Sequence, residues 1–221
     1  EMDGAFEYWK KKMHLSANDR FFDVDYVLTT RELSRMLKEA GIDFRALPEE
    51  DFDNPLGSSS GAAVIFGATG GVMEAALRTA YEVLTGEPLP DINLTAVRGM
   101  QGIREATINI NGNDVKVAVA HTLKNARSLL EQIENGTSPY TFIEVMTCPG
   151  GCLGGGGQPI PTTAEIRKKR AEAIYAEDAH KFTLTSQQNP EILYLYDHFL
   201  QKPLGALSHR LLHTRYVERF I

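Results

Sequence analysis

Two cysteines occur in the 221 residues, Cys148 and Cys152, and both lie in one run, Thr147-Cys148-Pro149-Gly150-Gly151-Cys152-Leu153-Gly154-Gly155-Gly156-Gly157-Gln158-Pro159. Thiolates are soft ligands that select zinc, copper or iron–sulfur centres. Pro149 and the glycines prevent a helix, let the backbone approach a bulky group, and leave amide N–H groups to donate to sulfur. Two thiolates do not complete a four-thiolate site, so a cluster here takes its other ligands from elsewhere. The spacing also suits a reduced pair with no ligand, or a redox disulfide closed across three residues.

A second stretch, Phe66-Gly67-Ala68-Thr69-Gly70-Gly71-Val72-Met73-Glu74, has the glycines of a turn that brings a pyrophosphate to a helix amino end. Met73 stands where the third glycine of that fingerprint belongs, and no lysine follows to grip a phosphate. A tight structural turn that lines another ligand's pocket is the competing reading. His209 and His213 stand four apart, a zinc-like spacing on a helix, but Arg210 follows His209 where a metalloprotease has Glu. His14, His121, His180 and His198 show no ligand spacing. The run Arg167-Lys168-Lys169-Arg170 reads as a solvated helix face, or as a dock for an acidic partner.

Secondary structure must carry these groups to one place. Asp25–Thr29 has β character, and Thr30-Arg31-Glu32 opens a helix whose apolar residues Leu33, Met36, Leu37 and Ala40 keep helical spacing up to Gly41. Pro48–Ser60 reads as a surface loop. Ala62-Ala63-Val64-Ile65-Phe66 reads as a small strand feeding the glycine turn, then a helix from Val72 to Gly86. Asn111-Gly112 between two alternating runs, 107–110 and 115–119, predicts a hairpin, because both residues tolerate positive φ. A helix from Leu123 to about Ile133 and a strand from Tyr140 to Met146 then complete a β-α-β crossover, whose carboxyl edge is where such folds place ligands. Beyond Gln158, Pro159 and Pro161 mark a change to helical segments. The expected fold class is α/β, with a parallel-sheet β-α-β unit in residues 1–160 and a helical wrap in 161–221.

Composition narrows the function classes. A hydrophobic share of 43% with 24% charged residues fits a chain that buries a core, which excludes disordered and collagen-like readings. A net charge of −6 without a basic stripe leaves nothing to hold phosphate backbones, so no nucleic-acid partner is expected. No window approaches the length of apolar chain that spans a bilayer, so no membrane span is expected. Glu1–Lys12 reads as an amphipathic piece cut from something longer.

The run Glu144–Pro159 resembles the third cysteine motif of the iron-iron (FeFe) hydrogenases. Three further stretches agree in order: Val24–Leu33, Phe66–Arg78 and Val97-Arg98-Gly99. The ending Pro203-Leu204, Ser208-His209 and Leu211-Leu212-His213-Thr214 is similar to that family's small-subunit segment. The resemblance covers nearly the whole chain. Thr147, where alanine is common, and Gln188, near a frequent histidine, depart from it.

That resemblance implies the carboxy-terminal part of the catalytic domain, with the small-subunit-like extension fused to it. It implies an H-cluster, a 4Fe-4S cubane bridged to a two-iron centre that carries carbon monoxide and cyanide, and reversible reduction of protons to dihydrogen. Cys148 would ligate the cubane and Cys152 would bridge it to the proximal iron. Met146, Phe66, Gly67 and Val72 would line the pocket of the two-iron centre. The remaining ligands would come from a partner, the amino-terminal half that carries the family's other cysteine motifs. Ferredoxin-like iron–sulfur domains or subunits, and NADH-oxidising subunits, are the implied electron partners. The fused tail favours a cytoplasmic over a periplasmic enzyme. Two other functions compete: a homologue acting in iron–sulfur assembly or hydrogen sensing, and a dinucleotide-binding oxidoreductase using Gly67–Gly71.

Overall fold

A computed structural model describes residues 26–50, 58–90, 97–98 and 102–213. The chain divides into two compact units, residues 1–48 with 157–160, and residues 49–156 with 161–221. In the first, helix α1 (Thr30–Glu39) opens on a reciprocal cap: the Glu32 N–H donates to the Thr29 hydroxyl, and the Glu32 carboxylate accepts from the Thr29 N–H at 2.7 Å. The Arg31 N–H donates to the Gly157 carbonyl at 2.9 Å, within the same unit. The β-type run ahead of α1 is not a strand over its described residues 26–29. Tyr26 is 86% exposed and pairs with no strand among the described residues, which overrides its propensity.

The second unit begins with a correction. Residues 61–67 form a four-residue helix, α2 (Gly61–Val64), and a 3-10 turn (Ile65–Gly67), not the expected strand. A short apolar run does not distinguish strand from buried helix by periodicity. Here the Ser60 hydroxyl caps the helix, and the Gly61 and Ala62 amides donate to the Thr183 and Leu184 carbonyls at 2.9 and 3.0 Å. Gly61 is obligatory, since a Cβ there would stand 2.0 Å from Asp178 Oδ1. Gly70, at φ +90°, turns the chain into helix α3 (Gly71–Thr85).

Strands β1 (Ile103–Ile110) and β2 (Asn113–His121) pair antiparallel about Asn111 and Gly112, both at positive φ, as the Asn-Gly signal predicts. Helix α4 (Thr122–Glu134) crosses over to β3 (Phe142–Met146), which lies parallel to β2 with Val119 opposite Glu144 and His121 opposite Met146. The sheet order is β1-β2-β3. Alternation along β2 splits the core: Val117 and Val119 pack with Met73 and Leu77 of α3, whereas Ala118 and Ala120 pack with Ala126 and Leu129 of α4. The result is the expected α/β class, with a mixed sheet between helices.

Helix α5 (Ala164–His180) packs on α2, burying one side chain fully, and that one is a carboxylate, Asp178. Helices α6 (Pro190–Leu195) and α7 (Ala206–Leu212) follow. Among the described residues no helix is long and apolar enough to cross a membrane.

Candidate metal centre

Strand β3 delivers Cys148 two residues past its carboxyl end. The chain then reverses through Gly150 and Gly151, at φ +84° and +81°, into a 3-10 turn over Cys152–Gly154. Three amides close this loop on itself: Gly151 N–H to the Cys148 carbonyl at 2.9 Å, Gly154 N–H to Gly151 at 3.1 Å, and Gly155 N–H to Cys152 at 3.3 Å. Both thiols are free; Cys148 is half-buried and Cys152 exposed.

The loop is docked on the glycine turn that precedes α3. Gly151 and Ala68 form an antiparallel bridge, and the Thr69 N–H donates to the Gly150 carbonyl at 3.3 Å. A Cβ on Gly151 would lie 2.9 Å from both the Gly67 oxygen and the Thr69 nitrogen, so the two backbones touch without room for a side chain. The cysteine run and the glycine run therefore form one surface. Of the expected pocket residues, Gly67 meets the loop directly. Phe66, 50% exposed, and half-buried Val72 flank the same turn, and Met146, also half-buried, ends β3 just before the loop. His209 and His213 only pack on each other, ring centroids 4.4 Å apart. Among the described residues no three His, Cys, Asp or Glu side chains gather as a metal site.

A residue to which the sequence assigns no role of its own holds the arrangement together. Glu144 of β3 is buried and accepts from the Gly70 and Met73 amides, each at 2.7 Å, so its carboxylate fills the amino end of α3. Burial pushes its pKa up, and the two backbone donors work against that rise. The helix amino end that a pyrophosphate requires is thus occupied by a carboxylate, and the turn follows a helical segment, not a strand. Both facts count against dinucleotide binding at Gly67–Gly71.

Beside the loop lies an open groove of about 750 Å³, lined by Ala68, Thr69, Arg98, Gly150, Leu153 and Tyr175 among others. Arg98 donates from Nε to Glu74 Oε2 at 2.9 Å, and its guanidinium carbon sits 3.7 Å from the Tyr175 ring centre. Burial, and then the charge of Glu74, push the Tyr175 phenol up to about 12. Glu144 and Arg98 lie in stretches that carry the family resemblance, but no spacing rule assigns either a role, and for Tyr175 the sequence carries no signal.

The donor set suits half of a thiolate-ligated cluster. Two unpaired thiols stand on a loop of glycine amides, and the Arg167 Nε–H beside that loop is buried with no acceptor. A four-thiolate cubane needs two more cysteine thiolates, and Cys148 and Cys152 are the two cysteines of the sequence.

An α/β core with a glycine-lined cysteine loop at the end of a parallel strand, backed by a helical extension, is the architecture of the iron hydrogenases. The structure superposes on HydA1, an FeFe-hydrogenase from Chlamydomonas reinhardtii, with a TM-score of 0.71 and 44% identity, over 89% of this chain and 56% of that one. The chain belongs to the iron-only (FeFe) hydrogenase family: residues 5–156 match the iron only hydrogenase large subunit, C-terminal domain, and residues 164–219 match the iron hydrogenase small subunit. It is 54% identical over 89% of its length to the NADP-reducing hydrogenase subunit HndD of Solidesulfovibrio fructosivorans, covering 34% of that protein. It is 41% identical to iron hydrogenase 1 of Clostridium pasteurianum, over 90% of this chain and 35% of that one. The chain thus spans about a third of the length of these two relatives. It is also 31% identical over 94% of its length to cytosolic iron-sulfur assembly component 3 of Rattus norvegicus, covering 45% of that protein.

Proposed function

We propose that this chain is the carboxy-terminal part of an FeFe-hydrogenase catalytic unit, reversibly reducing protons to dihydrogen at an H-cluster and competent only with a cysteine-bearing remainder. The observation that carries the proposal is the docking of the Cys148–Cys152 loop on the Gly67–Thr69 turn, which gathers the thiols and the turn into one wall. When bound, the cluster supplies the redox chemistry in which two protons and two electrons give one dihydrogen.

The chain's own residues hold and enclose. Cys148 and Cys152 would supply two thiolates, Met146, Phe66, Gly67 and Val72 would line the pocket of the two-iron centre, and the hydrogen-bonded backbone of the loop holds both thiol-bearing residues in one turn. Residues 1–160 form the cluster-binding half and 161–221 the small-subunit-like extension. Ferredoxin-like iron–sulfur domains or subunits deliver electrons, and the kinship with a subunit of an NADP-reducing hydrogenase supports a nicotinamide-linked subunit upstream. Fusion of the extension to the catalytic part supports a cytoplasmic over a periplasmic enzyme.

The deciding measurement is an infrared spectrum of the anaerobically isolated full-length protein, together with the identity of any polypeptide that copurifies. Carbon monoxide and cyanide bands support the hydrogenase reading. A second reading has a specific basis, since relatives named for iron–sulfur assembly match as much of the chain as the hydrogenases do. An ordinary cubane signal without those bands assigns the chain to that class.

A further inference from the structure

The basic run on α5 divides into two pairs with different surroundings. Lys168 and Lys169 are exposed and pair along the helix with Glu172 and Glu165, at 3.8 and 3.1 Å. Arg167 and Arg170, three apart and so on one side of the helix, are half-buried against the cysteine loop. Arg170 Nη1 donates to the carbonyl of Leu153, one residue past Cys152, at 2.8 Å. A Cβ built on Gly154 would stand 2.6 Å from Arg167 Cδ and 2.2 Å from the Pro149 oxygen, so the Arg167 stem lies against the loop where a side chain is missing. Arg167 Nη1 donates to the Thr162 carbonyl at 3.2 Å, while its Nε–H is buried and has no acceptor. Three turns further on, Asp178 fastens the same helix to Arg78.

We propose that Arg167 and Arg170 are positioning residues for the cysteine loop: α5 is a splint, anchored at Asp178, whose arginines hold Leu153 and Gly154 and so set where the Cys152 thiol points. The Nε–H of Arg167 is the donor that remains for sulfur carried by the loop, and donors to sulfur are a principal control of cluster potential. The small-subunit segment thereby acts on the site itself. The potential part of the proposal rests on Cys148 and Cys152 being cluster ligands; the bracing part does not.

Two measurements separate these parts. The first is hydrogen exchange on the metal-free full-length protein, comparing wild type, Arg170→Ala and Arg170→Lys. Losing a charge-assisted bond to a backbone carbonyl speeds exchange at the Gly151, Gly154 and Gly155 amides about tenfold. Amides of α3 and β2 keep their rates, and Arg170→Lys, which retains one donor, recovers part of the protection. Unchanged loop amides, or equal acceleration in the loop, α3 and β2, overturn the bracing. The second is the midpoint potential of the cubane in reconstituted Arg167→Lys, which keeps the charge and lacks Nε. A shift to more negative potential is expected, and an unchanged potential overturns the role of Arg167. A wild-type protein without carbon monoxide and cyanide bands defeats the hydrogenase reading and leaves the exchange result standing.

Discussion

Arg78 of α3 and Asp178 of α5 meet in a two-point pair, Nη1 to Oδ1 at 2.8 Å and Nη2 to Oδ2 at 2.7 Å, with side chains only 1% and 2% exposed. Glu74 adds a second carboxylate, 2.6 Å from Arg78 Nη2, and Arg98 reaches Glu74 from the other side. The pair joins the segment matching the small subunit to the segment matching the large one.

Removing one partner leaves the other charge buried with less compensation. Asp178→Ala is expected to destabilise the fold by about 3–5 kcal/mol. Denaturant unfolding measures this, and cleavage within α5 at protease concentrations that spare wild type is expected alongside it. A loss below 1 kcal/mol makes the pair a marginal contributor.

Glu144→Ala strands the Gly70 and Met73 amides in a buried place, and each unpaired donor costs on the order of 1–3 kcal/mol. The expected combined loss, about 3 kcal/mol, is read from thermal or urea unfolding. Glu144→Gln retains an acceptor oxygen and loses less.

His121 ends β2 with 1% exposure, and neither ring nitrogen has a partner. Burial, and then the nearby Arg104 charge, lower its pKa from the ordinary 6.5. The unfolded chain therefore takes up a proton here before the folded one does, so stability is retained above pH 6.5 and lost as pH falls below it toward the lowered value. His121→Phe is expected to flatten that acid limb relative to wild type in unfolding curves measured from pH 7.5 to 5. Parallel curves for the two proteins refute the assignment.

Cys152 is exposed, so Cys152→Ser has little to disturb in the fold. On the proposed hydrogenase reading, hydrogen turnover of the holoprotein is expected to vanish while circular dichroism and melting of the metal-free protein stay within error of wild type. Retained turnover removes Cys152 from the ligand set.

Local chemistry made parts of this molecule readable in advance. Asn111-Gly112 announced its hairpin through positive φ, and the crossover from β2 to β3 followed from helix and strand periods separated by Asn135-Gly136. The cysteine loop was conspicuous because it holds every thiol in the chain. Ala62–Phe66 misled because a run of five apolar residues suits strand and buried helix alike, and the partners that decide, Thr183, Leu184 and Asp178, lie far along the sequence. Glu144 and Gly70 are 74 residues apart, a distance over which no spacing rule operates. Arg167 and Arg170 looked like their lysine neighbours, since a run of like charges does not say which members turn inward.

The bridge between Ala68 and Gly151 joins segments far apart in the chain. Closing so long a stretch of chain carries an entropic cost, and the packing of β2, β3 and α3 offsets it. The thiol loop therefore keeps its bridged shape only while β3 and α3 hold its two distant ends together, so loss of either element is expected to release both cysteines at once.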